Sequence, residues 1–296
     1  MKISLAGLAI CLLAAATAGA QSLSVTYLEG EAQVRSSSSW KVLSIGDSVP
    51  LQASVRVEEQ GMVQLKGAGL DFVLNRPGTY VLKDVVAARR QLSAAGVGAA
   101  LANTLRYLAS GPAAPQSTAA GTRGANQGLS ENQGWVENDA QVFLDAGRQY
   151  LSSGQYDKAL EQFGQALDSA TDEEVPEIHY YLAYASSLKG DVREAWDEIA
   201  DLEPAMSVAW AYDFVLLKAN LLEDASAYGE AVTWLRQSDN DLSKDARRAP
   251  TYYFLLGIGF RGSGDTESAQ QAFSKVIEIA PGGDLGRAAE KMLATP

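Results

Sequence analysis

Residues 146–167, AGRQYLSSGQYDKALEQFGQAL, decide the reading of the chain, because their outline returns three times. It recurs at 182–202 (LAYASSLKGDVREAWDEIADL), 218–238 (KANLLEDASAYGEAVTWLRQS) and 256–277 (LGIGFRGSGDTESAQQAFSKVI). Each copy is a helical pattern, a short break at Gly154, Gly190, Ser226 or Gly264, and a second helical pattern opening on a small residue. Those small residues are Ala159, Ala195, Ala231 and Ala269, at intervals of 36, 36 and 38 residues. Two antiparallel helices approach closely only where side chains are small, so an alanine marks each crossing. Phe163, Ile199, Leu235 and Phe273 follow four residues later, on the same helical face, and fill the next layer. A fixed two-helix period predicts a solenoid whose units bury their apolar faces on one another.

The first helices carry Ala146-Gly147, Leu182-Ala183, Lys218-Ala219 and Leu256-Gly257; Tyr150 and Phe260 supply aromatics, and Pro281 closes the last unit. On these positions the region resembles four tetratricopeptide repeats, a family that favours Leu-Gly, an aromatic and a terminal proline at the matching places. The third unit departs most, with Lys218 in the apolar slot and Ser226 in place of the turn glycine. Residues 284–293 read as a polar-faced helix that caps the stack, which a solenoid needs for solubility. The expected solenoid spans residues 136–296.

A 47% apolar and 20% charged composition is that of a folded chain, and 296 residues suffice for two modest domains. The net charge of −12 disfavours nonspecific binding to nucleic acid or an anionic membrane. Residues 1–20 read as a secretory signal: Lys2, an apolar run at 3–16, and Ala18-Gly19-Ala20 before Gln21. The run is short for a membrane span, so a bacterial periplasmic or otherwise exported protein is expected, not a transmembrane one. Cys11, the only cysteine, stands between Ile10 and Leu12-Leu13, the wrong flanks for lipidation. The processed chain would therefore hold no disulfide.

Between residues 21 and 84 the period switches to two. Short alternating runs such as Ser24-Val25-Thr26-Tyr27, Ser54-Val55-Arg56-Val57 and Asp71-Phe72-Val73-Leu74 alternate with turn signals, predicting a small all-β sandwich or roll of six or seven strands. Gly30-Glu31-Ala32-Gln33-Val34, the turn Trp40-Lys41-Val42-Leu43-Ser44-Ile45-Gly46 and Pro77-Gly78-Thr79 make this region resemble a FecR-type periplasmic domain. Gly121-Thr122-Arg123-Gly124 matches a later element of that family. The resemblance implies sensing or relay through partner contacts, without catalysis. Residues 85–110 form a helical segment with Asp84 as candidate N-cap. Val85, Leu92, Leu101, Leu105 and Leu108 share a face that Gly96 and Gly98 interrupt at about 1 kcal/mol each. Packing on the sheet, binding a partner and loose order all fit this pattern. Residues 111–135, rich in Gly, Ala, Ser, Asn and Gln, read as a flexible linker. The expected fold class is thus a multi-domain α and β protein: an N-terminal β sandwich or roll plus an all-α tetratricopeptide solenoid.

Catalytic parts are scarce. His179 is the only histidine and reads as a packed residue. Gly257-Ile258-Gly259-Phe260-Arg261-Gly262 satisfies a dinucleotide fingerprint but falls inside a repeat helix, where close packing explains it. The acidic run Asp168, Asp172, Glu173, Glu174 and Glu177 lacks calcium-loop spacing. No enzyme activity, cofactor, metal, nucleotide or nucleic-acid partner is expected. By the family pattern, the first helices line a concave groove bearing Gln141, Leu144 and Arg148; Tyr180, Tyr184 and Ser187; Leu216, Asn220 and Glu223; and Phe254, Ile258 and Arg261. Tyr180, Tyr184 and Phe254 are the expected aromatic anchors. The resulting function is a periplasmic adaptor joining envelope proteins. The alternative is a cell-wall or glycan binder that holds peptidoglycan through Trp40 and Tyr27, with the repeats as spacer.

Overall fold

The structure is a computed structural model that describes residues 22–294 apart from 37, 68 and 110–138. The expected signal, linker and Gly121-Thr122-Arg123-Gly124 element lie outside the described residues. Eight strands form the N-terminal unit: β1 (Ser22–Glu29), β2 (Ala32–Arg35), β3 (Lys41–Val42), β4 (Ser48–Pro50), β5 (Ser54–Val57), β6 (Met62–Gly67), β7 (Leu70–Leu74) and β8 (Gly78–Val81). They make two antiparallel four-stranded sheets, ordered β4-β1-β6-β7 and β3-β2-β5-β8. Val25, Val63, Leu65 and Phe72 from the first sheet share one core with Ala32, Val55 and Val57 from the second. A register shift between Val25 and Tyr27 breaks the alternation of β1 and pairs Tyr27 with Gln64. Phe72, Val73 and Leu74 are all buried in sequence, so β7 is covered on both faces.

The helix after the sheets begins earlier than its sequence suggests. α1 (Leu82–Ala95) is preceded by Val81 at the cap position, and Asp84 sits in its first turn instead of capping it. Gly96, at φ 75°, ends α1 in the left-handed conformation, and α2 (Val97–Ala109) starts at once. The segment from 82 to 109 is therefore two helices with different destinations. α1 packs on the sheets through Leu82, Val85 and Val86, while α2 leaves for the repeats.

Four helix pairs follow: α3 (Asp139–Ser152) with α4 (Tyr156–Asp168), α5 (Val175–Lys189) with α6 (Val192–Ile199), α7 (Ala211–Asp224) with α8 (Tyr228–Arg236), and α10 (Ala249–Gly262) with α11 (Thr266–Ile279). A short α9 (Asp239–Leu242) lengthens the connection after the third pair, and α12 (Asp284–Ala294) closes the stack. The interhelical turns place Gly154, Gly190 and Gly264 at φ 74°, 96° and 88°; Ser226 takes φ 61° in the third, at a cost the other units avoid. Lys218, in the apolar slot of that unit, holds its ammonium 4.8 Å from the centre of the Trp234 ring. Burial, reinforced by the nearby Arg76 charge, lowers its pKa.

Residue size explains the repeat spacing. A Cβ on Gly147 would collide with the Phe163 ring, and one on Gly257 would lie 2.6 Å from the Phe273 ring. In the second and third units the glycine becomes Ala183 or Ala219, and the ring opposite shrinks to Ile199 or Leu235, all fully buried. Between units, Tyr180 stacks on Trp210 at 5.1 Å, and Arg248 clamps the buried Asp213 with bonds of 2.7 and 2.9 Å.

The two halves touch. Met62 and Val73 join the core of the first repeats. The Arg193 guanidinium lies 4.7 Å from the Tyr27 ring, and Arg76 lies 4.4 Å from the Trp196 ring and 3.3 Å from Glu230. The sandwich and the repeats are thus packed against each other. Gly257→Ala is expected to destabilise the chain by about 1–3 kcal/mol through overpacking. Adding Phe273→Leu, which copies the third unit, should restore at least half of that loss. Urea unfolding midpoints check both, and a neutral Gly257→Ala would refute the size rule.

Candidate functional site

The first helices of the pairs share one face of the repeats, the face expected to be concave, and it is already occupied. α2 lies across it, against α3, α5 and α7, and also meets α12 at the far end. Leu105 is buried among Leu144, Tyr184 and their neighbours. Ala100, Leu101 and Leu108 are buried with Leu216, Ala219 and Ile258. These positions follow from α2's own sequence, which places Leu101, Leu105 and Leu108 on one stripe.

Polar groups of the groove fix the helix along its axis. The Tyr184 hydroxyl donates to the Leu105 carbonyl at 2.7 Å, from a fully buried position. Arg247, in the loop before α10, donates Nη2 to the Tyr107 carbonyl at 3.0 Å and to the Leu108 carbonyl. Its guanidinium also lies 5.3 Å from the Tyr107 ring centre. A cation here satisfies carbonyls that the last turn of a helix leaves without partners, and it complements the helix dipole. Asn103 on the other flank donates to Asp284 of α12 at 3.1 Å.

The fit is incomplete near the start of α2. A cavity of about 540 Å³ remains between the α1–α2 elbow, β7 and the groove. Leu101, Ala102, Ser187, Asn220, Glu223 and Ile258 are among its lining residues. Asn220 donates Nδ2 to Asp224 at 3.3 Å, and Asp224 lies 3.8 Å from Arg89. Glu223 is 6% exposed, and its Oε1 has no hydrogen-bond partner, nor do Nε and Nη2 of Arg89. Burial, with the neighbouring Asp224 charge, holds the Glu223 carboxyl well above the usual carboxylate range.

The expected groove residues have divided fates. Leu144, Tyr184 and Leu216 pack with α2 in the same buried clusters, and Ser187, Asn220, Glu223 and Ile258 line the cavity. Tyr180 and Phe254 point into the array: the first stacks on Trp210, and the second packs edge-on against Phe273 at 5.6 Å. Both are buried to 1% or less, as is Tyr184. Arg148 pairs with Glu177 and covers the Tyr181 ring at 4.6 Å, Arg261 donates to the Met292 carbonyl at 2.6 Å, and Gln141 is exposed at the outer end of α3. Arg247 and Arg89 escaped the sequence reading, because neither lies in a first helix of the repeats.

The remaining motifs are structural. Gly257, Gly259 and Gly262 sit against Phe273, Val232 and Tyr228, so the fingerprint-like spacing serves helix packing. His179 Nδ1 lies 2.6 Å from Glu198 Oε2, tying α5 to α6. Trp40 is flanked by Arg35 and Arg56, with guanidinium carbons 4.7 and 4.1 Å from its ring centre, and Tyr27 is taken up by the contact with Arg193. Among the described residues no cluster of three His, Cys, Asp or Glu could hold a metal. No helix among them is long and apolar enough to cross a membrane.

Residues 250–282, the fourth helix pair, match the tetratricopeptide repeat family model. The three helix pairs before it repeat the same two-helix plan. Among solved structures, MamA (41-end) from Desulfovibrio magneticus RS-1 is 21% identical, covering 53% of this chain and 93% of its own, with a TM-score of 0.39. An ArsTM double mutant of the RS-1 MamA gives 21%, 53% and 92%, with the same TM-score of 0.39. Likeness at that level bears on neither site nor function. No curated protein sequence matches.

Glu223→Gln tests the electrostatic reading. A carboxyl with a raised pKa in the folded chain binds a proton that the unfolded chain releases above about pH 4.3, so its contribution is lost as pH rises toward the folded pKa. The variant should therefore gain stability relative to wild type at pH 8, by roughly 1 kcal/mol or more, and gain little at pH 5. Urea midpoints at the two pH values check this; an equal effect at both would contradict it.

Proposed function

We propose that the protein is a non-catalytic interaction scaffold of the bacterial cell envelope, in which a tetratricopeptide array and a FecR-like sandwich work as one unit to hold envelope proteins. The observation that carries this reading is the occupied concave face. In this chain the array already holds an amphipathic helix by its apolar stripe and its C-terminal carbonyls, which is helix-in-groove recognition. Protein partners are the ligands for which such a surface is suited.

Three sequence features support the finer statement. The pattern at residues 1–20 supports export, the three short motifs between Gly30 and Thr79 support a FecR-type sandwich, and the acidic surface favours protein over nucleic acid. Arginines beside Trp40 and Tyr27 occupy the rings that a sugar would stack on, which favours protein over polymer as partner.

Expression of the tagged chain in a Gram-negative host, followed by fractionation and mass spectrometry, tests this proposal. The expected result is a periplasmic chain beginning at Gln21 that co-purifies with a discrete envelope protein. An unprocessed cytosolic chain, or recovery of peptidoglycan alone, would contradict it.

A further inference from the structure

The α2 seat combines two features that rarely occur together in a settled core. Its end is held by specific bonds, from Tyr184 to Leu105 and from Arg247 to Tyr107 and Leu108. Its beginning is underfilled. Gly98, Leu101, Ala102 and Leu105 fall on one helical face and all border the 540 Å³ cavity, where Gly98 and Ala102 are too small to reach across. Buried polar atoms nearly always have partners. Here Glu223 Oε1 and two nitrogens of Arg89 have none. Of the acidic groups at the cavity, Asp71 is paired with Lys66 and Asp224 lies 3.8 Å from Arg89, which leaves the Glu223 carboxyl as the one that neither α2 nor a neighbouring cation answers.

We propose that α2 is a resident stand-in for a partner's helix: the concave face accepts an external amphipathic helix with the α2 stripe that carries a basic residue where α2 has Ala102, and α2 leaves the groove when that helix binds. The proposal rests on the scaffold reading and names the partner's chemistry. A lysine or arginine at that position would extend into the cavity toward Glu223 and Asp224, fill part of the void and give Oε1 its partner. The leucines matching Leu101, Leu105 and Leu108 would reuse the existing pockets, and the last carbonyls would reuse Arg247. The elbow at Gly96, in a left-handed conformation suited to glycine, is the joint about which α2 would swing from α1. An intramolecular helix competes at a millimolar effective concentration, so the closed chain resists weak ligands and yields to one that fits better.

The test uses two labelled synthetic peptides of residues 97–109, one native and one with Ala102→Lys, titrated by fluorescence anisotropy. The receptors are the full chain and its Leu101→Asp/Leu105→Asp variant, with circular dichroism confirming the fold. Both peptides should bind the variant at least about tenfold more tightly than wild type, because the internal competitor is gone. The lysine peptide should bind more tightly than the native one. A folded variant that binds neither peptide, or receptors that bind equally, overturns the proposal; a lysine peptide no tighter than the native one overturns the choice of a basic helix. If the double variant fails to fold, Leu101→Ala weakens the resident helix alone, leaves every receptor group in place and should still raise peptide affinity about threefold or more. No rise, or unfolding of that variant too, would make α2 a fixed part of the core and end the proposal. Peptide binding without any envelope partner recovered from cells would instead count against the scaffold reading alone.

Discussion

The hydrogen bond from the buried Tyr184 hydroxyl to the Leu105 carbonyl marks the constraint on which the rest of the molecule depends: a helix from the N-terminal half is laid across the repeats of the C-terminal half. Once α2 is seated, α1 is brought to one side of the array, and the sandwich that α1 closes is carried with it. The contacts of Arg76 with Trp196 and Glu230, and of Arg193 with Tyr27, then become possible. Each is a modest surface interaction alone. Together with the burial of Met62 and Val73 in the repeat core, they make the two modules one body.

Much of the array was legible because its causes are local. Helix crossings demand small residues at fixed spacing, and Ala159, Ala195, Ala231 and Ala269 announce them. The exchange of Gly-Phe pairs for Ala-Ile and Ala-Leu pairs is equally readable, since volume is conserved at each crossing. What was not legible is where a stripe points once its helix is placed. Tyr180 and Phe254 hold groove positions by repeat register, yet their rings are taken up by Trp210 and Phe273. Leu101, Leu105 and Leu108 make the same apolar stripe whether the receiving surface is a sheet or a groove, so the destination of α2 was open. The run Phe72-Val73-Leu74 did hold a hint. Three successive buried positions in a strand require cover on both faces, and the second cover is the repeat array.

The concave face therefore has a dual character. Its apolar pockets and its arginine clasp are complete, as expected of a surface made to hold a helix. Its acidic corner, around Glu223 and Asp224, is not, and the small residues of α2 leave that corner unfilled. A scaffold that covers its own receptor surface gains protection against nonspecific capture, since an exposed apolar groove of this length would be a liability in solution. It also gains a threshold, because only a better-fitting helix can replace the resident one.

Amide hydrogen exchange of the intact chain, resolved by mass spectrometry on peptides spanning residues 97–109, tests the central claim most directly. If α2 occupies the groove in solution, its amides will exchange orders of magnitude more slowly than those of the free peptide, with protection approaching that of α5 and α7. Exchange of the segment at the rate of an unstructured peptide, while the repeats remain protected, would show the concave face to be open and would contradict the account.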